Sequence, residues 1–126
     1  MRFLLDTAVL ILSAESPERL SKRAFAALQG TDNLREFSSI SLTEIAIKNT
    51  LGKLRMPPES IRQAMQDLMV RVLPFTGEHA YRLFSLPLHH RDPFDRQIIA
   101  QALCEEIPVV TPDEKFRLYS GLKTIW

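Results

Sequence analysis

Short apolar runs alternate with one-sided apolar stripes along this chain, and each change of period predicts a boundary between strand and helix. Arg2–Leu5 is an apolar run closed by Asp6-Thr7, which predicts a strand feeding a turn or helix over 8–13. Ser16-Pro17-Glu18 offers a cap, a first-turn proline and an acid, and Gly30 lies just past Leu28, so a second helix is expected over 17–28. Residues 37–40 form a brief strand candidate. Ser41-Leu42-Thr43-Glu44 stands at the mouth of the next helix, which Gly52 should end.

After Pro57-Pro58, Ile61, Ala64, Met65 and Leu68 fall at i, i+3, i+4 and i+7, the spacing of a helix with one buried face. Residues 70–75 read as extended, with Pro74 placing them at a sheet edge or strand end. Thr76 can cap a helix carrying Ala80, Leu83 and Phe84 that Pro87 closes. Asp92-Pro93 opens the strongest helix, whose Ile98, Ile99, Ala102 and Leu103 form a stripe that reaches Glu105. Short strand candidates at 108–111 and 123–126 flank a tight turn at 113–116. Strands alternating with helices favour an α/β domain with a mainly parallel sheet, because parallel neighbours need crossover helices.

Size and composition narrow this picture. A chain of 126 residues, 45% apolar, fits one domain over 1–126 and can bury roughly two-thirds of the surface it exposes when unfolded. The net charge is +1, so no uniform field announces a polyanionic partner, and contact with nucleic acid has to come from a local basic cluster. A lone cysteine, Cys104, excludes an intramolecular disulfide and a cysteine-based metal site, and its helical position predicts burial as a small hydrophobe. Four unclustered glycines exclude a Gly-rich phosphate loop. The apolar N-terminal stretch, interrupted by Asp6, is too short for a signal peptide or a span, so a soluble, unprocessed, cytoplasmic protein with no membrane partner is expected.

Acids fall where an open parallel sheet places its ligands, beyond the carboxyl ends of the strands. Asp6, Glu44 and Asp113 each follow a predicted strand, and Asp95 lies in the first turn of the helix opened by Asp92. Four carboxylates converging there repel one another unless a cation holds them. The matching cation is hard and oxygen-loving, Mg²⁺ or Mn²⁺, and such an ion takes phosphate oxygens as ligands. That chemistry points to phosphoryl transfer by a metal-activated water. No histidine beside a strand-end Ser or Cys suggests a nucleophile-base pair.

Leu4-Leu5-Asp6-Thr7, Ser41-Leu42-Thr43-Glu44-Ile45-Ala46-Ile47-Lys48, His89-His90-Arg91-Asp92-Pro93-Phe94-Asp95-Arg96 and Val110-Thr111-Pro112-Asp113, in this order and at these separations, resemble the PIN-domain family and its VapC-type toxins. The resemblance covers the chain from end to end. It implies a three-layer α/β/α sandwich around a mainly parallel sheet, a Mg²⁺-dependent endoribonuclease acting on RNA, a VapB-type antitoxin that blocks it, and a homodimer. By motif, Asp6, Glu44, Asp95 and Asp113 are the catalytic and metal-binding set. Asp6 and Asp95 are the direct ligands, with Glu44 and Asp113 completing the site through water or a second ion. Thr7, Ser41, Asp92 and Thr111 would support these acids, and Lys48, Arg91 and Arg96 are candidates for RNA phosphates. The Asp-Thr pair is followed by Ala8, where many relatives carry a histidine or asparagine.

Each residue also has an ordinary reading. Ser41-x-x-Glu44 fits a capping box, and Lys48, at i+4 from Glu44, fits an exposed ion pair contributing only about 0.3–0.5 kcal/mol. Asp92 before Pro93 is a helix cap by pattern, and Asp6 and Asp113 are natural turn formers. His89-His90 reads as a solvated loop near the substrate entrance, and His79 as an ordinary early-helix residue. Two other functions compete with the nuclease. A non-catalytic module would use the acidic pocket to receive a basic segment of a partner. A haloacid-dehalogenase-like phosphatase would need a second Asp at position 8, where Ala8 stands.

Overall fold

The computed structural model describes residues 1–126. Five short strands, β1 (Arg2–Leu5), β2 (Leu34–Ser38), β3 (Val70–Leu73), β4 (Val109–Val110) and β5 (Thr124–Ile125), form one sheet in the order β3-β2-β1-β4-β5. Every neighbouring pair is parallel, and central β1 sets Leu5 opposite Phe37 on one side and Val110 on the other. Alternation of side chains along the strands splits the core in two. Phe3, Leu5, Phe37 and Val110 pack on one face with Val9 and Leu10 of α1 (Thr7–Glu15), Ala24 of α2 (Lys22–Gln29), Ile45 of α3 (Ser39–Thr50) and Ile61 of α4 (Pro58–Asp67). Leu4 and Val109 pack on the other with Ile98, Ile99 and Ala102 of α6 (Pro93–Glu105), against which α5 (Gly77–Arg82) lies. The result is an α/β/α sandwich. Leu5, Phe37, Ile45 and Ile98 are fully buried, each contributing about 1.5–3 kcal/mol.

Several local expectations are corrected. The helix expected over 17–28 is interrupted: Pro17–Arg19 forms a 3-10 turn, and α2 starts afresh because Ser21 Oγ accepts from Ala24 N at 3.0 Å. The strand expected over 37–40 lies earlier, at Leu34–Ser38, because Ser38 ends it by capping α3, its Oγ accepting from Ile40 N at 3.0 Å. Cys104 is exposed rather than buried, since α6 turns Ile98, Ile99 and Ala102 to the sheet and leaves Cys104 off that stripe. His79 is buried, completing the Thr76 capping box through Nδ1 and reaching Glu105 Oε2 from Nε2 at 3.0 Å. No helix is long and apolar enough to cross a membrane.

The sheet order fixes where a ligand can enter. The chain runs outward from β1 through β2 to β3, then returns to the other side of β1 as β4. That reversal leaves a crevice beyond the carboxyl ends of β1 and β4.

Candidate functional site

Asp6 follows β1 at this crevice. Its backbone N donates to Val110 O at 3.0 Å, which fixes it against β4, and its Oδ2 accepts from the Thr111 hydroxyl at 2.7 Å. One residue on, Thr7 Oγ1 lies 2.8 Å from both Glu44 Oε1 and Ser41 Oγ. An ionised carboxylate only accepts, so the single Thr7 hydroxyl proton goes to Glu44 and Ser41 donates to Thr7 in turn. Lys48 Nζ donates to Glu44 Oε2 at 2.6 Å. Both Glu44 oxygens are therefore anchored. The capping-box reading of Ser41 and Glu44 fails, because Ser38 is the cap and Ser41 already lies inside α3.

The remaining acids come from α6 and the loop after β4. Asp92 caps α6, its Oδ1 accepting from Phe94 N at 2.9 Å and Asp95 N at 3.0 Å. Asp113 donates its backbone N to Thr111 Oγ1 at 3.0 Å and accepts from Lys115 N on Oδ1 at 2.9 Å. Thr111 thus ties Asp6 to Asp113. His90 Nε2 lies 2.7 Å from Asp113 Oδ2 and 3.1 Å from Asp95 Oδ2.

Asp6, Glu44, Asp92, Asp95 and Asp113 share the wall of one cavity of about 340 Å³, with Thr7 and Lys48. Larger hollows of about 440 and 810 Å³ elsewhere gather only two acids each. Five carboxylates facing one ammonium make the cavity strongly negative. Burial pushes Asp95 from its ordinary 3.8 up to about 8, reinforced by repulsion from Asp6, Asp92, Glu44 and Asp113. Asp6 is pushed up to about 6, mainly by burial; the Thr111 hydrogen bond opposes this and the charges of Glu44 and Asp113 add to it. The hydrogen bond to Glu44 raises Lys48 and keeps it charged.

Two sequence readings change here. His90, expected in a solvated loop, is buried against Phe116 and hydrogen-bonds Asp113 beside Asp95, while its neighbour His89 stays exposed. Nothing in the adjacent pair distinguishes them; the difference arises from contacts with the loop after β4. Arg96, a candidate for RNA phosphates, instead donates to the carbonyls of Leu86, Pro87 and His90 at 3.2, 3.0 and 3.2 Å. It braces the loop that delivers His90. Arg91 is exposed, and Lys48 lines the cavity.

The fold is similar to those of three solved structures. VapBC2 from Rickettsia felis, bound to a DNA fragment from its promoter, has a TM-score of 0.74 at 17% identity, over 98% of this chain and 97% of that one. DNA-bound VapBC from Salmonella typhimurium has a TM-score of 0.72 at 18% identity, over 98% and 96% of the two chains. VapBC-1 from nontypeable Haemophilus influenzae has a TM-score of 0.67 at 20% identity, over 98% and 96%. No curated protein matches the sequence. The family model of the PIN domain matches residues 3–122, nearly the whole length, and the chain belongs to the PIN domain family.

Proposed function

We propose that this protein is a metal-dependent endoribonuclease and the toxin of a toxin-antitoxin pair, hydrolysing RNA phosphodiesters at the carboxylate cavity. The observation that carries this reading is the unequal commitment of the acids. Both oxygens of Glu44 accept from side chains, and those of Asp113 accept from His90 Nε2 and the Lys115 backbone, whereas Asp6 Oδ1 and Asp95 Oδ1 accept from no side chain, Asp6 having the Thr7 backbone besides Thr111. These same two acids are the ones destabilised as anions by burial and mutual repulsion. An all-oxygen donor set with excess negative charge fits Mg²⁺ or Mn²⁺ and does not fit a soft metal.

Asp6 and Asp95 would hold the ion, with Glu44 and Asp113 completing the site. When bound, Mg²⁺ acidifies water and takes up charge on phosphate oxygens. The protein's own groups do the positioning. Thr111 orients Asp6, while Thr7 and Lys48 fix Glu44 as an acceptor for a proton of the attacking water. Lys48 adds the one positive charge on the cavity wall, suited to a phosphate. The toxin role is supported by the PIN family and by the fold shared with VapBC proteins. A cognate antitoxin and a homodimer belong to the same proposal.

The test is incubation of purified protein with structured RNA and Mg²⁺, with and without EDTA, alongside Asp6→Ala and Asp95→Ala. Cleavage that needs the metal and both acids is expected. Cleavage persisting in EDTA, or unaffected by both substitutions, overturns the mechanism. Tight binding of a basic partner segment with no metal-dependent cleavage favours a non-catalytic module instead. Co-expression with the neighbouring reading frame and sedimentation of the complex test the antitoxin and the dimer.

A further inference from the structure

Every polar atom of His90 is spoken for. Its backbone N donates to Tyr119 Oη at 2.8 Å, and its carbonyl accepts from Arg96 Nη1 at 3.2 Å. Its ring stands edge-on to Phe116, with centroids 5.8 Å apart. The backbone N–H of Asp92 donates to Nδ1 at 3.2 Å. A nitrogen that accepts carries no proton, so the ring is neutral and its only proton sits on Nε2. That single N–H donates to Asp113 Oδ2 at 2.7 Å, and Asp95 Oδ2 lies 3.1 Å from the same nitrogen.

We propose that His90 is a positioning residue: a neutral imidazole that donates from Nε2 to Asp113 and, from behind the cavity wall, keeps Asp113 beside Asp95. Its consequence for metal affinity rests on reading those acids as metal-binding, whereas the clamp itself does not. Three observations separate this role from metal ligation. His90 does not line the cavity that Asp95 and Asp113 line. It is buried, at 6% exposure. Although Nε2 and the two carboxylate oxygens lie within 4.8 Å of one another, ligation through Nε2 requires it to lose its proton. Shifting that proton to Nδ1 would set it against the Asp92 N–H, donor facing donor.

The clamp has a geometric payoff. It holds Asp113 Oδ2 on the imidazole and sets Asp95 Oδ2 close to the same nitrogen. Asp95 comes from the first turn of α6 and Asp113 from the loop after β4, so His90 joins two elements whose chain positions are 18 residues apart (113 − 95) through one buried ring. Loss of such an outer hydrogen bond to a metal-binding acid lowers metal affinity about 10–100-fold.

Long-range ¹H–¹⁵N spectra of the full-length protein, metal-free and then with Mg²⁺, read the tautomer directly. An Nε2–H imidazole in both states is expected. An Nδ1–H tautomer, or loss of the Nε2 proton on adding Mg²⁺, overturns the proposal. Mn²⁺ binding without RNA, followed by electron paramagnetic resonance, should weaken about 10–100-fold in His90→Ala. It should recover in His90→Gln, whose amide N–H₂ takes the place of Nε2–H, and stay weak in His90→Asn, whose shorter amide takes the place of Nδ1. Circular dichroism establishes that each variant is folded; if His90→Ala is not, the Gln and Asn pair decides. Equal affinity in those two overturns the clamp. If the wild type shows the Nε2–H tautomer but binds no Mn²⁺, the clamp stands and the metal reading of the cavity falls.

Discussion

Thr111 donates its hydroxyl to Asp6 Oδ2 at 2.7 Å, and Thr111 Oγ1 itself accepts from the backbone N of Asp113 at 3.0 Å. One buried hydroxyl thereby sets the relative position of two acids that are far apart in the chain. Thr111→Val is nearly isosteric and removes both bonds, leaving a buried carboxylate oxygen and a backbone N–H without those partners. The expected cost is about 1–3 kcal/mol in urea unfolding. Thr111→Ser keeps both bonds and should lose much less. Because this hydrogen bond is what holds Asp6 down against burial, Thr111→Val should also move metal binding to higher pH. Equal urea midpoints for the Val and Ser variants would show that the hydroxyl contributes nothing.

Three of the proposed acids should differ under amide substitution. Asp6→Asn and Asp95→Asn each remove a carboxylate with an oxygen not engaged by a side chain, and should abolish detectable cleavage. Glu44→Gln keeps an oxygen to accept from Thr7 but loses the charge paired with Lys48. A decline of about 10–100-fold is expected, the scale of an outer-sphere defect. Single-turnover cleavage at saturating Mg²⁺ measures all three. Glu44→Gln as inactive as Asp6→Asn would place Glu44 among the direct ligands.

Arg96 and Arg91 should separate cleanly although both flank the acids in sequence. Arg96 gives its guanidinium to three backbone carbonyls of the loop before α6. Arg96→Lys should therefore lower thermal stability by about 1–3 kcal/mol while leaving the salt dependence of RNA binding unchanged. Arg91 is exposed and makes no side-chain bond within the protein. If it meets a phosphate, Arg91→Ala reduces the slope of log affinity against log salt by about 1 and leaves stability untouched. Filter binding from low to high salt, with parallel melting curves, checks both; a reduced slope in Arg96→Lys would return it to the RNA surface.

These contrasts also show what sequence carries and what it does not. β1, α6 and the Asp92 cap were legible because their signals are local: an apolar run, a 3.6-residue stripe, and an Asp-Pro start. Asp6, Asp95 and Asp113 were nameable because they sit at strand ends and in a first helical turn, whereas Glu44, expected at the mouth of its helix, lies inside α3. Ser38 outcompeted Ser41 as the cap of α3 by one turn's difference in chain path, and a string of serines and threonines offers no local means of choosing between them. His90 and Arg96 were illegible for a stronger reason. Their partners, Asp113, Tyr119 and the Leu86 and Pro87 carbonyls, meet them only once the loop before α6 has docked against the loop after β4.

The raised acids make stability depend on pH in an inverted sense. Asp6 titrates at about 6 and Asp95 at about 8 in the folded protein, against 3.8 ordinarily. Between those values the folded state holds protons that the unfolded chain has released, so unfolding free energy falls as pH rises. Without metal, stability should decline from about pH 4 through about 6 on account of Asp6 and continue to about 8 on account of Asp95. Glu105, held low by His79 and Arg2, gives the opposite slope, but only below its ordinary 4.5. The three histidines also ionise in the unfolded chain within pH 5 to 8, so the contribution of the cavity acids is read from the difference between wild type and an Asp95→Asn variant across that range. Melting curves in EDTA should show the protein less stable at pH 8 than at pH 5, by about 1–3 kcal/mol after allowance for water entering the cavity. Asp95→Asn should flatten the upper part of that slope. Mg²⁺ should stabilise most at pH 8, where it binds acids that no longer hold a proton. An Asp95→Asn variant with the wild-type slope would show that this carboxylate reaches the solvent freely and that the acids do not form the strained cluster on which the cavity's cation affinity depends.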